Sequence, residues 1–511
     1  MGSPPQLPTL SRRSFLSLLA AGAAAGLAAC SPSSGNSGAD GAAPSEPPAP
    51  AGAKPTRAWF VKSKNAAPAS LIEGYTGQTS VLPGQPVNLH VSTSASQWGV
   101  EVFRIGYYDG LGGIRVASAG PFPGHKGAAA SSSTGGAAVA NWPVSAQVST
   151  EGWAPGFYLL HLIANGRRIQ LPLVVRSETA RDAVAVVVSA TTWQAYNLWG
   201  DRSLYRSAGG AFEGRSSAVS FDRPYGDTAL TLLNAFEIPI VRVAEESGVP
   251  LAWFANTDIA LDPPLLEGAL AAVSTGHDEY WPPAYRQALV SLRDGGGNLA
   301  FLGANAGYWR VRLSDPGSGP GRLMTCYKDA GADPVKGPTA TARWRDNPNP
   351  APENQVIGQL YDAFPVDGPM VIRDPDFFLF ADTGVRAGTE LGGLIGPEID
   401  RVYDLRTTPR PIQVPALSPV TCRGKQTWST VAYYTTESGA GVFSTGTMGW
   451  SRSLPRPERM ATISAAAKAF THKVTINVFR AIATPGLGRQ HPADDQLEQV
   501  HLPTTNTSGA A

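Results

Sequence analysis

The chain is short of charge and almost free of cysteine. Charged residues fill 16% of its 511 positions, against about 25% in an ordinary soluble domain. The 41 Lys and Arg nearly cancel the 40 Asp and Glu, leaving a net charge of +1. So balanced a surface offers no field to a phosphate backbone, and nucleic acid is excluded as an expected partner. Three cysteines with no CxxC spacing exclude a thiolate zinc site. There is no HExxH, no GxSxG and no GxxxxGK[ST], and none of the seven His pairs with another at metal-binding spacing. Zinc hydrolase, Ser-His-Asp esterase and P-loop chemistry are therefore disfavoured. What is plentiful is Gly (56), Pro (44) and a 42% hydrophobic share with 12 Trp. That combination supports a large core rich in turns and excludes global disorder.

No apolar run is long enough to span a bilayer. Ser11-Arg12-Arg13-Ser14-Phe15-Leu16 leads into an apolar stretch from Phe15 to Ala29, short of the about 20 residues a spanning helix needs. A basic start before a short apolar segment marks an export signal. The paired arginines followed by Phe-Leu resemble the twin-arginine type, which addresses folded proteins. Leu27-Ala28-Ala29-Cys30 resembles a bacterial lipobox, with Cys30 the lipidated first residue of the exported form. The expectation is a cell-envelope lipoprotein or secreted protein that meets the membrane only through a lipid. Cys326 and Cys422 then remain as an even pair in an oxidising compartment, able to form a disulfide if adjacent.

Composition divides the chain further. Residues 1–30 read as signal and 31–56, rich in Ser, Gly, Ala and Pro, as a flexible tether. From 57 to 177, short alternating runs such as Val87–Val91, Val100–Ile105 and Phe157–Leu162 are separated by turn residues, which predicts an antiparallel β-sandwich. The pattern changes at Asp182. Ala183–Val188 is a continuous β-branched run, as in a strand buried on both faces of a parallel sheet. Leu270–Ser274, a helix from Pro283 to Arg293 and Asn298–Leu302 complete a βαβ unit. An α/β domain is expected over 180–483, with a polar tail at 484–511.

Ligands in such sheets bind beyond the carboxyl ends of the strands. Two motifs fall there. Thr275-Gly276-His277-Asp278-Glu279-Tyr280-Trp281 places an imidazole, two carboxylates and a phenol together, although a helix-start cluster would have the same composition. Gly303-Ala304-Asn305-Ala306-Gly307-Tyr308-Trp309 permits close backbone approach and can present the Asn305 amide, or serves only as a tight turn. Trp193–Gly200 follows the first buried strand and carries Tyr196, while Gly396-Pro397-Glu398-Ile399-Asp400 offers a turn with two carboxylates.

Together, Tyr196-Asn197-Leu198-Trp199-Gly200, Gly276–Trp281 and Phe301–Trp309, with Ile105-Gly106-Tyr107-Tyr108-Asp109-Gly110 in the sandwich, resemble the large (β) subunit of N,N-dimethylformamidase over residues 57 to 480. The resemblance implies a class I glutamine amidotransferase-like catalytic domain, hydrolysis of a small amide, and one iron held by two tyrosines and a glutamate. It implies Tyr196 and Tyr158 as the phenol ligands and Glu279 as the carboxylate, with His277 and Glu398 paired beside the metal and Asn305 as a polar pocket residue. The chemistry is coherent: hard oxygen donors suit Fe(III), and a phenol with an ordinary pKa near about 10 becomes a phenolate only beside a strong positive charge. Such a centre polarises an amide carbonyl, with His277 as the base, Glu398 fixing its tautomer and Asn305 at the carbonyl oxygen. Dimethylformamidase acts with a small partner subunit, whereas this chain carries an export signal, and shared fold does not fix the substrate. Competing readings are a surface-tethered protein binding a carbohydrate or cell-wall ligand through a degenerate site, and a metal-independent hydrolase using the carboxylates. A homo-oligomer fits any of them.

Overall fold

Alternating and continuous apolar runs produce two different kinds of sheet. In the computed structural model the described residues are 53–207, 209–457 and 462–499. The expected export signal, Cys30 and nearly all of the expected tether lie outside them. Among the described residues no helix is long and apolar enough to cross a membrane.

The first part is a sandwich. One sheet joins β1 (Ile72–Thr76), β3 (Val87–Thr93) and β6 (Ala146–Val148). The other runs β2 (Ser80–Val81), β8 (Arg167–Val175), β7 (Gly156–Ala164), β4 (Gln97–Ile105) and β5 (Gly113–Pro123). Pairing is antiparallel as expected except at one edge, where β2 runs parallel to β8. Strand β7 is buried along almost its whole length. Side chains alternate across a strand, so Tyr158, Leu160 and Leu162 enter the sandwich core while Phe157 and Leu159 join the core of the second part.

The second part is built on seven strands in the order β10 (Leu251–Ala255), β9 (Val184–Val188), β11 (Ala271–Thr275), β12 (Asn298–Leu302), β15 (Gly441–Ser444), β14 (Lys425–Thr435), β13 (Ile412–Cys422). The first five are mutually parallel and the last two pair antiparallel. Val184, Val186 and Val188 pack into one apolar cluster and Ala185 and Val187 into another. This two-sided burial is what the β-branched run required. The helix following β11 spans Pro283–Asp294, one residue beyond expectation. Residues 484–499 are less tail-like than their polarity suggests: Leu487, Ala493 and Leu497 are buried, and Tyr433 donates to the His491 carbonyl at 2.9 Å.

The disulfide left open to Cys326 and Cys422 does not form, and both are free thiols. Cys326 is buried just past the Leu323–Thr325 strand of a separate three-stranded sheet, while Cys422 ends β13 in the seven-stranded one. Burial pushes the Cys326 thiol up to about 11, far from the thiolate needed for exchange.

Candidate functional site

The carboxyl ends of β9, β11, β12 and β15 share one edge because these strands are parallel, and four connections converge there. Helix α1 (Ala190–Tyr196) leaves β9 and ends on Tyr196. It is fixed to the loop after β11 by two contacts: Thr191 Oγ1 donates to the Tyr280 carbonyl at 2.8 Å, and the Glu279 amide donates to Thr192 Oγ1 at 3.0 Å. Gly276 (φ +52) lets that loop pass Phe236, since a Cβ there would lie 2.5 Å from the Phe236 carbonyl. A Cβ at Gly303 would lie 1.7 Å from the Gly276 carbonyl. Only glycine permits so close a crossing of the two loops.

At the centre stands Glu279. Tyr196 donates to its Oε2 at 2.7 Å and Tyr205 to its Oε1 at 2.5 Å, with the two hydroxyls 3.0 Å apart. The Trp309 indole donates to Oε1 at 3.0 Å. Burial, followed by the negative charge of Glu279, drives both phenols well above their usual range. Burial also acts to raise Glu279, but contact with His277 and the Lys328 ammonium outweigh it and hold the carboxyl below its ordinary value. Lys328 lies behind the cluster, 3.9 Å from the Tyr205 ring centre and 4.0 Å from that of Trp309, and donates to the Tyr280 hydroxyl at 2.5 Å. Burial brings its pKa down to about 8.

His277 is 3% exposed and neither ring nitrogen makes an aligned hydrogen bond, although Nε2 lies 3.2 Å from Glu279 Oε2 and 3.9 Å from Glu398 Oε2. Glu398, pushed up to about 7 chiefly by burial, accepts from Asn305 Nδ2 at 2.8 Å. The Asn305 backbone amide donates to Asp400 at 2.8 Å, which stabilises the left-handed turn at Asn305 (φ +59). The Asn305 amide group is thus engaged by Glu398, while its Oδ1 is buried with no partner. Asp278, despite its place in the motif, is an internal acceptor for Asn256, Ser274 and Tyr285.

Tyr158 does not belong to this group. Its hydroxyl donates to the Ala154 carbonyl at 2.6 Å and its ring stacks on Trp153 at 5.0 Å. Arg104, Tyr108 and Glu245 are its charged and polar neighbours. The alternation of β7 turns it into the sandwich core. Tyr205 stands where a second phenol was expected. No periodicity marked it, because it reaches Glu279 through the fold of the 197–205 connection. That connection is held by Arg223, which donates to the carbonyls of Gln194 (2.8 Å) and Arg202 (3.0 Å). Lys328 had no motif either, while Trp309 and Asp400 sit at the last positions of the Gly303–Trp309 and Gly396–Asp400 motifs.

Among the described residues, no three His, Cys, Asp or Glu side chains are grouped to hold a metal. The available donor set is two phenols and one carboxylate, already within 2.5–3.0 Å of one another. Phenols so deeply buried ionise only if a strong positive charge joins them, so the set fits a hard, highly charged cation and no soft one.

Sheet and site together define an α/β protein with an acid–base and phenol cluster at the carboxyl edge of its parallel strands. The sequence model described as N,N-dimethylformamidase beta subunit-like, C-terminal, matches residues 99–462. The chain belongs to that family, and membership suggests hydrolysis of amide bonds. No curated protein matches the chain significantly.

Proposed function

We propose that the protein is an exported, iron-dependent hydrolase of small C–N amide bonds, with its sheet in the glutamine amidotransferase-like arrangement. The observation that supports this best is the convergence of the Tyr196 and Tyr205 hydroxyls on Glu279. These three residues would hold Fe(III). When bound there, the ion supplies Lewis acidity toward an amide carbonyl.

The remaining work falls to the side chains around it. His277, with no aligned partner on either ring nitrogen, takes a proton from the attacking water and returns it to the departing amine nitrogen. Glu398 orients the imidazole and is itself gripped by Asn305. Trp309 keeps Glu279 Oε1 in place. Leu232, Phe236, Ala304 and Met448 pack beside Tyr196 as an apolar wall that keeps bulk water out. The export signal and lipobox would deliver the enzyme to the cell envelope as a folded protein.

The test is release of free amine from a panel of formamides and acetamides, with and without an iron chelator. Turnover that disappears with chelation and in Glu279→Gln supports the reading. Turnover indifferent to both favours metal-independent hydrolysis, and no turnover from the iron-replete protein on any amide contradicts it.

A further inference from the structure

A cavity of about 650 Å³ opens between the sandwich and the α/β part, on residues that the amide site does not use. Its size falls within the about 300–1,000 Å³ of ordinary small-molecule sites, which favour such seams. One wall is Gln78, Asn88, His90 and Trp142 from the sandwich; the other includes Asp222, Asp258 and Arg322.

The charged groups in it are held by internal contacts. Arg322 grips Asp222 with two donors, at 2.7 and 2.9 Å, and Ser318 also donates to that carboxylate. Asp258 accepts from Ser80 and from the Ala255 amide at 2.8 Å. The opposite wall contributes the uncharged polar side chains of Gln78 and Asn88. The Gln78 side-chain oxygen accepts from the Asn88 amide at 3.0 Å, and the Asn88 side-chain oxygen from Gln147 at 2.8 Å. Both NH₂ groups are thereby left as donors. His90 contributes the complementary function: with Nδ1 donating to the Trp142 carbonyl at 2.7 Å, Nε2 is an acceptor. Gly77 leaves room beside it, since a Cβ there would lie 3.1 Å from His90 Nε2. At the rim stand Val144 and Leu261, 48% and 50% exposed, two of the four large hydrophobic side chains so exposed among the described residues.

We propose that this cavity binds an uncharged, polyhydroxylated ligand of one or two sugar rings. Donors and an acceptor set close together match vicinal hydroxyls, each of which both gives and takes a hydrogen bond. The exposed aliphatic rim suits the C–H face of a pyranose. Internal pairing of Asp222 and Arg322 removes the incentive for an ionic ligand. The site would hold the protein to a glycan while the amide site, on different residues, acts independently.

Isothermal titration calorimetry of the full-length protein with maltose, cellobiose and di-N-acetylchitobiose tests this. At least one should bind with a Kd in the roughly micromolar to millimolar range. Gln78→Ala and Asn88→Ala should each weaken it about tenfold, the worth of one good hydrogen bond, at an unchanged melting temperature. Absence of heat from all three sugars, affinity in both variants unchanged from that of the parent, or heat from inorganic phosphate or tri-alanine instead of a sugar would overturn the proposal.

Discussion

Tyr158 and Tyr205 have the same side chain and opposite surroundings, and a pair of single-atom deletions separates them. Tyr205→Phe removes an oxygen 2.5 Å from Glu279, and kcat/KM for amide hydrolysis should fall about 100-fold or more, as when a metal site loses part of its shell. Tyr158→Phe removes a donor to the half-buried Ala154 carbonyl. It should cost about 1–3 kcal/mol of stability in a denaturant titration and leave turnover within about threefold, a margin of under 1 kcal/mol. At this scale the sequence was half legible. Tyr196, His277, Glu279, Asn305 and Glu398 lie in or beside motifs that end strands, and the fold gathers them. Tyr205 depends on a loop path that no periodicity encodes, and Tyr158 on which face of β7 a residue occupies.

Between strand and loop, conformation is what the motifs encode. Asn305 combines a left-handed backbone with a grip on Glu398. Asn305→Gly keeps the first and removes the second, so folding should survive while kcat drops and KM holds. The helix between Asp227 and Ser247 carries a π-helical segment, Leu233–Glu237, a form that often sits near functional sites. It places Glu237 fully buried, accepting from Thr275 and from the Trp193 indole. Burial pushes this carboxyl up to about 8. The folded protein therefore keeps a proton that the unfolded chain releases near its ordinary value of 4.5. Stability must fall as pH rises from that value toward 8 and level off above it. Glu237→Gln, which cannot ionise, should show a shallower loss of melting temperature over that interval in differential scanning fluorimetry. The runs that became β9, β11 and β12 were readable because burial on both faces leaves an unbroken apolar signature. The β13–β14 hairpin was not, since its polar and apolar positions alternate irregularly around a register shift near Gln413 and Ala416.

The whole molecule depends on how the sandwich meets the α/β part. Arg104 on β4 and Glu245, on the helix Ile238–Ser247, form a 2.6 Å ion pair with side chains 3% and 4% exposed. Glu245→Ala would strand a buried guanidinium, and unfolding free energy should fall by about 3–5 kcal/mol. The low charge and high Gly and Pro content pointed to an exported, turn-rich protein with a large core. They carried no information about where two phenols and a carboxylate would meet. The most direct measurement of that meeting is the visible absorption of the full-length protein loaded with Fe(III), alongside Tyr205→Phe and Tyr158→Phe. A phenolate-to-iron charge-transfer band should appear in the parent, persist in Tyr158→Phe and weaken or shift in Tyr205→Phe. A colourless parent, or a band lost with Tyr158 and untouched by Tyr205, would contradict the account.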